Sequence, residues 1–124
     1  DNWDQVISAM TDVVEGARGT ARRIRNPHYR IAGKTGTAQV FTVAQDAKYE
    51  EDKVDLKMRD HALFVAFAPV EAPRIAVAVV VENGGHGGSV AAPIAKRVMD
   101  RYLLGTQARD IAGAMPKRVI EGEE

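Results

Sequence analysis

The sequence predicts an α+β fold: an antiparallel sheet, three strands of it in this chain, flanked by N- and C-terminal helices. Three observations carry that expectation. Trp3, Val6, Ile7, Met10, Val13 and Val14 recur at helical spacing and mark one apolar face. Two β-rich runs, Ala62–Ala68 and Arg74–Val81, are joined by the link Pro69–Pro73, far too short for a parallel crossover. Helical spacing then returns from Val90 to Leu104 through Ala91, Ile94, Ala95, Val98, Tyr102 and Leu103. The order helix, strands, helix places helices on an antiparallel sheet, not in alternating βαβ units.

Each element has its own local signals. Gly16 and Gly19 end the first helix. A basic link, Arg22–Pro27, leads to a strand that begins near Tyr29, within "YRIAGKTGTAQVFTV" at 29–43. Residues 44–60 are polar with no clean period and read as a long loop with room for a helical turn, a length usual for functional or mobile segments. "ENGGHGGS", Glu82–Ser89, interrupts the last β-run. Ser89 is the expected N-cap of the closing helix, and Pro93 then falls in the first turn, where a missing N–H costs least. Gly105 stops that helix, so residues 1–105 are read as the structured portion and 106–124 as a weakly ordered tail. Trp3 and Tyr102 sit on apolar helical faces and are expected in the core. Three strands make a thin core for a free-standing enzyme, and the chain opens inside a helix at Asp1. The expectation is therefore a piece of a longer chain, with further strands elsewhere.

Composition excludes several function classes. The chain has 124 residues, is 45% hydrophobic and 27% charged, and carries a formal net charge of +0. That balance is globular and leaves no electrostatic footprint for nucleic acid. Arg22, Arg23 and Arg25 lack interleaved aromatics, which argues the same way. The longest apolar stretch, near Ala62–Val70, is well short of the ~20 residues a membrane span needs. The chain has no cysteine, which is compatible with an oxidising compartment without requiring one. His28, His61 and His86 are scattered without metal-ligand spacing, and Glu50, Glu51 and Asp52 read as a solvated loop face.

The segment that breaks strand rules is Gly33–Thr37, "GKTGT". Glycine weakens a strand interior and marks close approach of a ligand or backbone, and lysine is rarely buried without a partner. One reading is an edge kink whose lysine snorkels to water. A phosphate-binding P-loop fails, because His28 stands where that motif needs glycine and AQVFTV, not a helix, follows the threonine. A dinucleotide loop at Gly84–Gly88 fails as well, because Val90 occupies its last glycine position. The third reading is the Lys-Thr-Gly strand of penicillin-reactive serine acyltransferases.

With "GKTGTAQV" followed by "RDHALFVAFAP", "IAVAVVVENGG" and "AAPIAKRVMDRYLLG", residues 1–105 resemble the C-terminal part of the transpeptidase domain of class B penicillin-binding proteins, the elongation type most closely. The resemblance implies the penicillin-binding-protein/serine β-lactamase transpeptidase fold. It also implies a serine D,D-transpeptidase that cross-links peptidoglycan stem peptides, is acylated by β-lactams and uses no cofactor or metal. Lys34 would supply positive charge to the cleft, Thr35 and Thr37 hydroxyls to the substrate carboxylate, and the Thr37 N–H one oxyanion donor. Gly36 and Ala38 would complete the strand against which substrate lies. Catalytic weight would rest on Lys34 and Thr37, and the Gly84–Gly88 turn would lie near one end of the cleft. Implied partners are the upstream half of the same domain and the glycan polymerase of wall elongation. The implied location is the periplasmic face of the inner membrane, reached through an N-terminal anchor outside this chain.

The family's other motifs are missing here. Ser8 is followed at +3 by Thr11 and at +2 by Met10; Ser89 is followed by Ala92 and Ala91. Neither serine forms Ser-x-x-Lys or Ser-x-Asn, so this chain alone is expected to be inert. The rivals are a β-lactam sensor domain that is acylated without peptide turnover, a serine β-lactamase, and a non-catalytic interaction fragment.

Overall fold

In a computed structural model, which describes residues 1–40 and 55–105, helix α1 spans Asn2–Glu15. The Asp1 carboxylate accepts from the Trp3 N–H at 3.2 Å, and Asp4 adds negative charge to the first turn, both favourable at a helix N-terminus. Gly16 closes the helix, donating its N–H to the Asp12 carbonyl. Only Thr11 and Val14 are fully buried, both in the C-terminal half. Trp3 is 73% exposed, which overturns its expected place in the core: the described residues cover only the far end of that face.

The basic link is not simply extended. Arg22–Ile24 forms a single 3₁₀ turn that buries Ile24. Beyond it the chain is tied to the closing helix α2, Ala92–Leu104. The Tyr29 hydroxyl and the Asn26 side-chain amide both donate to Asp100 Oδ1, while Lys96 pairs with Oδ2. With Tyr29 committed to these contacts, the first strand starts later than its sequence implies: β1 is Ala32–Ala38. Gln39 and Val40 lie outside it, and 41–43 fall outside the described residues.

Strand β2 spans His61–Ala68 and β3 spans Ile75–Val81, in the order β1-β2-β3 with both pairings antiparallel. The hairpin matches the expected β-runs closely, and its link contains a cis Ala68–Pro69 bond. Strand β2 alternates as a half-buried strand should: Ala62, Phe64, Ala66 and Ala68 point into the core. That face packs with Val14, Ile24 and Ile31 on one side and with Ala92, Ala95 and Met99 of α2 on the other. The small side chains at 62, 66, 92 and 95 let helix and sheet approach closely.

A π-helical turn, Gly87–Ala91, precedes α2. Ser89 lies inside this turn and donates its hydroxyl to the His86 carbonyl, so it is not the N-cap; Ala91 is, without a side-chain cap. The wider turn redirects the first bonds, with the Val90 N–H going to His86 and the Ala92 N–H to Gly87. Pro93 does fall in the first turn, and Gly105 (φ +55°) ends the helix. Tyr102 is 56% exposed, not core; the Arg74 guanidinium lies 5.9 Å from its ring centroid, a cation–π contact. In the loop before β2, Leu56–Met58 form one 3₁₀ turn. Glu50, Glu51, Asp52 and the tail at 106–124 lie outside the described residues.

Tyr29 makes this packing sensitive to pH. Burial, and then the Asp100 carboxylate, hold its phenol pKa well above the usual value of about 10. The folded chain keeps a proton that the unfolded chain releases, so this contribution is complete below pH ~10 and is lost as pH rises above it. Tyr29→Phe is expected to flatten the alkaline limb of stability against pH, measured by urea melts between pH 8 and 11. It should also cost about 1–2 kcal/mol at neutral pH by removing a hydrogen bond to a carboxylate.

Candidate active site

Among the described residues strand β1 has a neighbour on one side only, which leaves one row of its backbone N–H and C=O groups facing away from them. All five residues expected at a site, Lys34, Thr35, Gly36, Thr37 and Ala38, lie on this edge strand. Register separates them by face. Lys34 and Gly36 pair with Val65 and Leu63, while Thr35 and Thr37 pair with Phe64 and Ala62 on the core-facing side. Lys34 is exposed, and its Nζ turns back to donate to the Thr35 carbonyl at 2.7 Å. The ammonium therefore sits over the backbone of β1, with no carboxylate partner among the described residues.

Thr35, Gly36 and Thr37 line an open pocket of about 340 Å³. Its other walls are Thr20 and Arg23, from the connection between α1 and β1, and the turn His86–Ser89. The Oγ1 atoms of Thr20 and Thr35 lie 3.2 Å apart, within hydrogen-bonding distance. Lys34 and Ala38 do not line this pocket. The sequence pointed to the strand and to the glycine turn but not to Thr20 or Arg23. Thr20 has no local signature beyond following Gly19, and Arg23 reads as one of a run of solvated arginines; the fold alone brings them to β1.

The turn is held from both ends. Asn83 takes φ +53° and Gly85 φ +81°, conformations that asparagine and glycine tolerate best. The Asn83 N–H donates to His61 Nδ1 at 2.9 Å, and its side-chain amide donates to the carbonyls of Arg59 (2.8 Å) and Lys57 (3.1 Å). The Gly85 N–H donates to the Asp60 carbonyl at 2.8 Å. Gly87 then lies directly on the β1–β2 backbone: a Cβ there would stand 2.1 Å from the Leu63 oxygen and 2.6 Å from that of Gly36. At Gly88 a Cβ would stand 2.4 Å from the Thr20 oxygen. His61 thus has a structural partner, and no cluster of three metal-binding side chains occurs among the described residues.

This packing makes a sharp test. Gly87→Ala is expected to destabilise the fold by about 3 kcal/mol, since the obstacles are backbone atoms that cannot rotate away. Gly105→Ala, with open space around it, meets only the strain of its own positive φ and should cost less, about 2 kcal/mol. Urea denaturation of the two variants reads the difference.

Residues 1–100 match the family described as the penicillin binding protein transpeptidase domain. The chain is 52% identical over 104 residues to the peptidoglycan D,D-transpeptidase MrdA of Acinetobacter baumannii, a match that covers 84% of this chain and 15% of that protein. It is 36% identical over 115 residues to MrdA of Escherichia coli K12, covering 92% of this chain and 18% of the relative. The crystal structure of Pseudomonas aeruginosa PBP2 in complex with WCK 5153 matches with a TM-score of 0.69 at 51% identity, over 86% of this chain and 21% of that one. The Helicobacter pylori complex between PBP2 and MreC matches with a TM-score of 0.65 at 30% identity, over 83% and 17%. The chain thus spans about a fifth or less of each of these relatives.

Proposed function

The chain belongs to the penicillin binding protein transpeptidase family, and we propose that it is the substrate-holding portion of an elongation-type peptidoglycan D,D-transpeptidase. The nucleophilic serine and its lysine would come from a part of the parent protein upstream of Asp1. The observation that supports this reading best is the open edge of β1. There a lysine ammonium rests on the strand backbone, and two threonine hydroxyl groups line an adjoining pocket.

The reaction follows from what such an edge offers. The donor stem peptide lies along β1 as an added strand, held by main-chain hydrogen bonds. Its terminal carboxylate accepts from the Thr35 and Thr37 hydroxyls, and the positive charge of Lys34 favours it electrostatically. The upstream serine oxygen attacks the carbonyl of the D-Ala-D-Ala amide. The Thr37 N–H is one of two donors to the developing oxyanion, an interaction strongest in the transition state. Collapse breaks the amide C–N bond, D-alanine leaves with the proton, and an acyl-enzyme remains. The amine of a neighbouring stem peptide then attacks the ester and regenerates the serine. A β-lactam enters as the donor does, its ring amide opens on the serine, and the acyl-enzyme persists. Gly36 keeps the strand narrow, and Ala38 extends the surface that the peptide meets.

The parent is read as a periplasmic enzyme anchored in the inner membrane; no described helix is long and apolar enough to cross a membrane. The Helicobacter pylori relative forms a complex with MreC, which supports reading the parent as one member of a wall-elongation assembly that includes a glycan polymerase. Neither ligand chemistry nor fold calls for a metal or organic cofactor.

Intact mass spectrometry with benzylpenicillin tests the reading. The parent protein is expected to gain one penicillin, and this 124-residue chain by itself none. Lys34→Ala in the parent should slow acylation at least about a hundredfold, the scale of losing a preorganised charged donor. Near-normal acylation of that variant would remove Lys34 from the mechanism. Transfer of the acyl group to an added amine acceptor separates a transpeptidase from a β-lactam sensor, and slow hydrolysis separates it from a β-lactamase.

A further inference from the structure

We propose that Thr20 is a positioning residue for the substrate-holding hydroxyl of Thr35, acting through the Oγ1–Oγ1 hydrogen bond. The inference rests on the transpeptidase reading above and adds to it a group from outside the Lys-Thr-Gly-Thr strand. The two oxygens stand 3.2 Å apart, and in the free protein either can be the donor. A bound carboxylate removes that freedom. An ionised carboxylate only accepts, so Thr35 must give it the single proton on Oγ1. The bond to Thr20 must then run the other way, with the Thr20 hydroxyl donating to Thr35 Oγ1. In that direction Thr20 polarises the Thr35 hydroxyl and strengthens its bond to the anion. It also holds the Thr35 side chain in the rotamer that faces the pocket.

The backbone of Thr20 is placed well enough for this role. Its neighbour Ala21 is fully buried and donates its N–H to the Val13 carbonyl at 3.0 Å; Gly19 donates to Gly16 at 3.0 Å. On the other side the absence of a side chain at Gly88 lets the π-helical turn close onto the Thr20 carbonyl, where a Cβ would stand 2.4 Å from its oxygen and 3.4 Å from Thr35 Cγ2. Thr20 therefore links the end of α1, the glycine turn and the centre of β1. The hydroxyl itself is exposed to the pocket, which leaves it free to reorient its proton when ligand arrives.

The test uses the full-length parent enzyme and its rate of acylation by benzylpenicillin, which carries a carboxylate, compared with benzylpenicillin methyl ester, which does not. Thr20→Val, which keeps the shape and removes the hydroxyl, should slow acylation by benzylpenicillin about tenfold while changing the ester rate less than twofold. Thr20→Ser, which restores the hydroxyl, should lie within about twofold of wild type. The double variant Thr20→Val with Thr35→Val should be no slower than Thr35→Val alone, because Thr20 acts through Thr35. Unchanged acylation of Thr20→Val, an equal loss with the ester, a slow Thr20→Ser, or losses that multiply in the double variant would each overturn the proposal. Should Thr20→Val not fold, Thr20→Ala, which also removes the hydroxyl, takes its place with the same expected and overturning results. A wild-type parent that takes up no penicillin overturns the transpeptidase reading and this inference with it, whereas a normal wild type beside an unaffected Thr20→Val overturns this inference only.

Discussion

The contact of Gly87 with the backbone of β1 and β2 governs the arrangement of everything around it. With 2.1 Å between a hypothetical Cβ and the Leu63 oxygen, no other residue fits without moving two strands or the turn. That approach closes one wall of the pocket beside Thr35 and Thr37, and it sets the point from which α2 departs. The π-helical turn follows from it, because the chain must leave the sheet backbone and enter a helix within five residues, Gly87–Ala91. Asn83 and Gly85 aim the chain at this contact, and their hydrogen bonds to Arg59, Asp60 and the first residue of β2, His61, keep it there. The helix that results packs Ala92, Ala95 and Met99 on the sheet, so the same contact also registers the core.

An edge strand is a hazard as well as an opportunity. Unpaired main-chain groups invite another strand, and proteins commonly blunt such edges with short strands and lysines. Strand β1 has the second of these, with Lys34 folded back over its own backbone. The same lysine places a positive charge over the open edge of the strand. Thr35 and Thr37 line the pocket together with Arg23, so hydroxyl groups and a second cation stand beside the strand that carries Lys34.

Much of this was legible in residue order. Strand β2 and the hairpin appear within a residue of expectation, since alternation in β2 and the prolines between the strands are local signals. The rule-breaking "GKTGT" marked the edge strand. The errors have a common origin. Trp3 and Tyr102 were expected in the core from helical periodicity, which reports that a face is apolar and not that a partner covers it. Ser89 was expected to cap a helix, but the demand of Gly87 for backbone contact shifted the start of that helix. Tyr29 was assigned to a strand, and its bond to Asp100, 71 residues away, took it out.

Fold class, hairpin, glycine turn and the "GKTGT" strand could be read from residue order, because each depends on residues within a few positions of one another. That β1 is an edge among the described residues, which of its side chains share a pocket, and that Thr20 and Arg23 stand beside them all came from packing. Periodicity and turn chemistry act over the reach of one hydrogen-bonded turn or one strand pair. The Thr20–Thr35 contact bridges 15 residues, and the turn that walls the pocket lies some fifty residues from the strand it touches. Such contacts come from packing whole elements together, with the shape of a glycine surface deciding how close they may come.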